Sequence, residues 1–174
     1  MKHAAVLTIA LALLATGCGS DSPSTPSQPN RLTFTALLSG NNEVPPIQGS
    51  EAGGGGNATI TMDVTRDASG NVTAATVNFN VNLNGLPANT PINLSHIHEA
   101  PAGTNGAVVV NTGLSAAAPV TLTNGSGSFE RTGIGVTPVD VATRIINNPA
   151  GFYFNSHSTL NGGGVVRGQL TRVQ

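Results

Sequence analysis

From Val72 to Leu86 the chain reads VTAATVNFNVNLNGL, in which Val77, Phe79, Val81 and Leu83 alternate with Asn78, Asn80, Asn82 and Asn84. Period-two alternation of this length predicts a strand with one buried and one wet face. Shorter runs of the same character lie at Leu32–Leu38, Ala58–Thr65, Ile92–His98, Ala107–Asn111, Val120–Thr123, Gly127–Arg131, Phe152–His157 and Val165–Arg172. DASGN, NGLPANTP and TNGSG supply turn chemistry between them. One segment changes period. In TPVDVATRIINNP, Val139, Ala142, Ile145 and Ile146 recur at helical spacing, with a Pro near the start and Asn-Asn-Pro behind, which predicts a short helix over Pro138–Ile146. Many short strands and one crossover helix predict an all-β fold, an antiparallel β-sandwich or Greek-key barrel. The glycine-rich EAGGGGNA (Glu51–Ala58) has no lysine and opens no helix, so it reads as a flexible loop and not as a phosphate cradle. EVPP (Glu43–Pro46) reads as an extended bend carrying a solvated Glu43.

The first residues carry a different pattern. Met1-Lys2-His3 is a short basic start, and Ala4–Gly17 is apolar and small. That run is shorter than the roughly 20 residues a spanning helix needs and matches the core of a secretory signal peptide over residues 1–17. Cys18, the single cysteine, follows directly in LLATGC, which resembles the lipobox of bacterial lipoproteins. The resemblance implies cleavage before Cys18, lipidation of its thiol, and an exported protein anchored to the bacterial cell envelope through that lipid. Residues 18–30, of which GSDSPSTPSQPN forms the bulk, are small and polar and read as a flexible tether. Arg31–Gln174 then has the length of one domain.

Composition agrees with β structure and narrows the partners. Lysine is absent after Lys2, and the mature chain carries six arginines against eight acids. Without a basic patch, nucleic acid is an unsuitable partner.

Candidate chemistry rests on three histidines. NLSHIHEAPAG places His96 and His98 two residues apart, and FYFNSHS carries His157. In a strand, positions i and i+2 leave the same face with Cα atoms about 6.6 Å apart, so both imidazoles can close on one ion while Ile97 points to the core. Tyr153, Asn155 and His157 share one face of their strand, and Phe152 and Phe154 the other. Brought beside the first strand, His157 supplies a third imidazole. Three histidines without a thiolate suit copper(II) or zinc. A fourth ligand is water, Glu43 or Glu99, with Asn155 and Arg167 as further ligands or supporting groups; Arg167 reads either as an anion-attracting residue near such a site or as a solvated strand-end residue. Two other readings stand beside the metal site: a structural polar cluster, and a proton-transfer site without metal.

FTALLSGNNEVPP (Phe34–Pro46), LSHIHEAPAGTNGAVV and GFYFNSHSTLNGGGVVRGQL (Gly151–Leu170) together resemble the CHRD domain, named for chordin and common in bacterial exported proteins. The resemblance covers nearly all of the mature domain. It implies the fold more than the function: in chordin such domains belong to an extracellular antagonist of growth factors, and the leading reading for this chain is a non-enzymatic binding module on the cell envelope. HIHEAPAGTNGA also resembles the copper-binding strand and following loop of Cu,Zn superoxide dismutase, itself a Greek-key barrel. That resemblance implies His96 and His98 as metal ligands, although the histidine-rich zinc loop and the disulfide have no counterpart here. The functions open at this level are a binding module holding copper or zinc, a metal-dependent redox or hydrolytic enzyme at the same histidines, and an adhesion or protein-interaction module with structural histidines.

Overall fold

The computed structural model describes residues 28–173. The expected signal peptide, Cys18 and most of the expected tether lie outside these residues. The strands are β1 (Arg31–Ser39), β2 (Gly55–Arg66), β3 (Val72–Asn84), β4 (Thr90–Glu99), β5 (Ala107–Asn111), β6 (Val120–Leu122), β7 (Gly127–Gly135), β8 (Phe152–Ser158), β9 (Val166–Gln169) and β10 (Thr171–Arg172). Among the described residues one α-helix, α1 (Asp140–Asn147), carries the chain from β7 to β8.

All ladders are antiparallel and join into one sheet of order β5-β4-β8-β9-β1-β2-β3-β7, with β6 beside β4 and β10 beside β1. The sheet curls until its two halves face each other. Phe79 on β3 and Phe154 on β8 are four strands apart in the order, yet their ring centroids lie 5.8 Å apart. The fold is thus the all-β form expected, a nearly closed barrel. Its interior is the alternating set read from the sequence: Leu32, Phe34, Ile60, Met62, Val77, Phe79, Val81, Ile97, Phe152 and Phe154 are all buried in one core. Helix α1 adds Val141, Ala142 and Ile145 to that core. It starts two residues later than expected, and Val141, not Val139, turns inward.

Two other expectations need correction. Residues 51–58 are not a loose loop: Glu51 is buried in a 3-10 turn, and β2 begins at Gly55, pairing with β1 and β3. Glycine is needed at position 56, where φ is +151° and a Cβ would fall on the carbonyl oxygen of Asn82. The run Val165–Arg172 is broken at Leu170. There the chain leaves β8, with the Leu170 amide donating to the Phe152 carbonyl at 2.9 Å, and joins β1 through Thr171 and Arg172.

Strand β8 matters most for the site. All seven residues of FYFNSHS are buried, because the core covers the Phe152–Phe154 face and loops cover the opposite one. Those loops are residues 40–54, 100–106 and 159–165.

Candidate metal centre

Ladder register brings the three histidines together. Strands β4 and β8 pair with His96 opposite Asn155, His98 opposite Tyr153 and Leu94 opposite His157. All of these side chains stand on the outer face of the barrel, so His157 lies diagonal to His96. Ile97, between the two β4 histidines, turns to the interior and is fully buried. The outer face here is not wet: His96, His98 and His157 are 7, 8 and 6% exposed.

Hydrogen bonds fix what each ring presents. His98 Nδ1 lies 2.9 Å from the Gly106 carbonyl, and His157 Nδ1 lies 3.0 Å from the Gly162 carbonyl. A carbonyl only accepts, so both Nδ1 atoms donate, and in the neutral rings both Nε2 atoms carry bare lone pairs. His98 Nε2 is buried without a partner. His157 Nε2 faces His96 Nδ1 at 3.2 Å and the Asn155 side-chain oxygen at 3.1 Å. Backbone carbonyls holding the outer nitrogens while the inner ones converge is the usual support of a histidine metal site.

The spacing fits one ion. One ligand nitrogen from each histidine lies within 4.8 Å of the other two. Nitrogens bound tetrahedrally at 2.0–2.1 Å stand about 3.3 Å apart, so the His96–His157 pair already matches and the longest gap closes by about 1.5 Å, within reach of small ring rotations. Protonation favours it as well. Burial, followed by the neighbouring His157 and His98, pushes His96 down to about 4, and burial also lowers His98 and His157. All three are neutral at pH 7, the state that ligates.

The other expected site residues divide. Asn155, 1% exposed, reaches the cluster through its side-chain oxygen. Glu43 is not solvated. It is buried beside Asn155, its Oε1 has no hydrogen-bond partner, and burial raises it to about 7 against the opposing influences of Arg167 and Asn155. Glu99 does not join the cluster: it alternates away from His98 and pairs with Arg144 of α1 through contacts of 2.9 and 3.0 Å. Arg167 is not a solvated strand-end residue but 1% exposed, its guanidinium 4.3 Å from the Tyr153 ring centroid. Tyr153 in turn stacks on His98, with centroids 4.8 Å apart and planes within 3°.

Several supporting residues are invisible to strand periodicity because they belong to the loops. Glu51 accepts from the Ser158 hydroxyl and from the Asn161 amide, each at 2.6 Å, and so pins the turn that carries the Gly162 carbonyl to His157. Asn105 donates to the Val44 carbonyl at 2.8 Å, tying two covering loops together. The Tyr153 hydroxyl accepts from the Gly106 amide, beside the carbonyl that holds His98.

Against known proteins, the model of the CHRD domain matches residues 34–170, which include all three histidines and every loop that covers them. No curated protein and no solved structure matches the chain. With most of its length matched, this chain belongs to the CHRD domain family.

Proposed function

We propose that this CHRD domain is a metal-binding module that holds one copper(II) or zinc ion through His96 Nδ1, His98 Nε2 and His157 Nε2. The observation that carries the reading is the convergence of three neutral imidazoles whose ligand nitrogens lie within 4.8 Å of one another, two of them anchored on the far side by backbone carbonyls. Three nitrogens without a thiolate suit copper(II) or zinc. The Asn155 oxygen, 3.1 Å from His157 Nε2, stands where a fourth donor or a hydrogen-bonded water belongs. A site covered by three loops favours holding an ion over turning over a bulky substrate.

The test is metal stoichiometry and affinity on the purified protein, compared with a variant carrying alanine at positions 96, 98 and 157. One equivalent of copper or zinc, lost in the variant while its circular dichroism is unchanged, supports the reading. If the native protein takes up neither metal and the variant is only less stable, the histidines are structural, and the binding role belongs to protein partners. In this reading the domain works outside the cytoplasm, held by a lipid attached to Cys18. Radiolabelled palmitate incorporated into the native chain but not into Cys18→Ser checks that part.

A further inference from the structure

The three histidines are buried under loops, and His98 Nε2 is closed off from solvent. An ion reaches them only when part of that cover opens. The covering loops are not held equally. Residues 40–54 are tied to β9 through Asn42: its side chain donates to the Arg167 carbonyl at 3.0 Å, and its own carbonyl accepts from Arg167 Nε at 2.6 Å. Residues 100–106 are tied by the Asn105 side-chain oxygen, which accepts from Arg167 Nη1 at 3.0 Å, and by the Ala100 carbonyl, which accepts from the Gln169 side chain at 3.1 Å.

Residues 159–165 are held differently. The segment is fixed at its start, where Asn161 bonds to Glu51 and to Ser158, and at its end, where the Val165 amide donates to the Ser156 carbonyl at 2.7 Å. Between these anchors lie Gly162, Gly163 and Gly164, and their bond to the barrel wall is the Gly162 carbonyl to His157 Nδ1. Glycine has the most backbone freedom to regain, so this part of the cover opens most readily. Beneath Gly164 lie Asn155 and Glu43: a Cβ at position 164 would stand 2.6 Å from Glu43 Oε1 and 2.8 Å from Asn155 Nδ2. Glu43 Oε1 is buried without a hydrogen-bond partner, a cost that lifting the turn relieves. Asn155 is one step from the centre, its side-chain oxygen 3.1 Å from His157 Nε2. A cavity of about 280 Å³ adjoins the turn, lined by Glu43, Ile47, Asn105, Asn161, Gly163 and Gly164.

We propose that the Gly162–Gly164 turn is the gate of the histidine centre: a divalent cation enters from the adjoining cavity when the turn lifts, meets the oxygens of Glu43 and Asn155, and passes to His157 Nε2. The inference rests on the metal-binding reading and adds to it the route and the step that limits its rate. Lifting the turn parts the Gly162 carbonyl from His157 Nδ1, so the motion that admits the ion also frees the ring to rotate toward it. Release follows the same route in reverse.

The experiment compares rates with equilibrium. A Cβ at position 162 or 163 meets nothing within 4 Å, and neither glycine has a positive φ, so the double variant Gly162→Ala, Gly163→Ala keeps the closed turn and disfavours the open one. Tyr153 is the one tyrosine of a chain without tryptophan and stacks on His98, so copper(II) arriving there quenches its fluorescence. Stopped-flow mixing of chelator-treated protein with copper(II) gives the uptake rate, and transfer of bound copper to excess chelator gives the release rate. In the native protein the uptake rate levels off with rising copper, at the rate of opening. In the double variant that plateau and the release rate both fall by about fivefold, while the Kd stays within about twofold. Uptake that remains proportional to copper concentration, or rates unchanged in the variant, overturns the gate and leaves the metal centre standing. A change in release alone, with the Kd shifted to match, makes the turn a support of His157 and likewise overturns the gate. Native protein that holds no copper at equilibrium overturns the gate and the metal-binding reading together.

Discussion

Replacing Ser158 with alanine tests how His157 is held. Ser158 is fully buried at the end of β8; its hydroxyl donates to Glu51 at 2.6 Å and accepts the Asn161 amide at 2.9 Å. Alanine leaves almost no cavity, so the cost is that of the hydrogen bonds. A bond to a charged group contributes about 1.5–3 kcal/mol and a neutral one about 1 kcal/mol, which gives a destabilisation of about 3 kcal/mol. In a domain of this size that lowers the melting temperature by about 6–12 °C. The same substitution frees the turn that carries the Gly162 carbonyl, the group that fixes the His157 tautomer at 3.0 Å. Loss of such support weakens metal binding about 10- to 100-fold. Urea denaturation of the metal-free protein gives the first quantity, and competition against a calibrated chelator gives the second. Full metal affinity in a destabilised Ser158→Ala protein would refute the argument, since the turn would then support the fold without orienting the ligand.

Glu99→Gln leaves metal affinity within about twofold of native, because Glu99 is committed to Arg144 in a half-exposed pair; a large loss in the chelator competition would put it back among the ligands. Gly164→Ala lowers the urea midpoint by the equivalent of about 1–3 kcal/mol, because φ is +135° there and the new Cβ meets Glu43 Oε1 at 2.6 Å and Asn155 Nδ2 at 2.8 Å; an unchanged midpoint refutes the close approach. In the metal-free protein, His96, lowered from 6.5 to about 4, removes about 3 kcal/mol of stability as pH falls from 6.5 to 4, whereas Glu43, raised from 4.5 to about 7, removes a similar amount as pH rises from 4.5 to 7. The two offset each other in the native protein, so Glu43→Gln should expose a steady acid loss below pH 6.5 in urea midpoints, and a flat profile in that variant counts against the buried neutral histidines.

Strand periodicity alone makes the interior and the histidine face legible. Val77, Phe79, Val81 and Leu83 alternate inward as their spacing predicts, and the i, i+2 spacing of His96 and His98 with the parity of His157 places all three on one face. What periodicity does not reveal is whether the opposite face is wet. Glu43 and Arg167 read as solvated because a proline bend and a strand end normally lie in water, and both are buried because three loops close over the barrel wall. Residue type does not reveal it: the outward positions of FYFNSHS are Tyr, Asn and His, and the wet face of β3 is likewise uncharged, made of Asn78, Asn80, Asn82 and Asn84. Glu51, Gly106 and Gly162 act through loop conformation, which has no period to read. Glu99 misleads because adjacency in sequence to His98 means opposite faces in a strand.

The division between faces also separates folding from ligand binding. Ile97 and Phe154, opposite each other in the β4–β8 ladder, fill the core, while His96 and Asn155, the adjacent ladder pair, face the site. The ladder fixes the Cα positions of the cluster, so the sheet determines that the imidazoles meet. It does not determine which nitrogen each ring offers. That choice rests on the carbonyls of Gly106 and Gly162, which sit in turns between strands and are held there by Tyr153, Glu51 and Asn161. Turns with few core contacts open at lower free energy than the sheet beneath them. Changes in those turns therefore tune affinity without unfolding the barrel, whereas changes at Ile97 or Phe154 remove the fold and the site together.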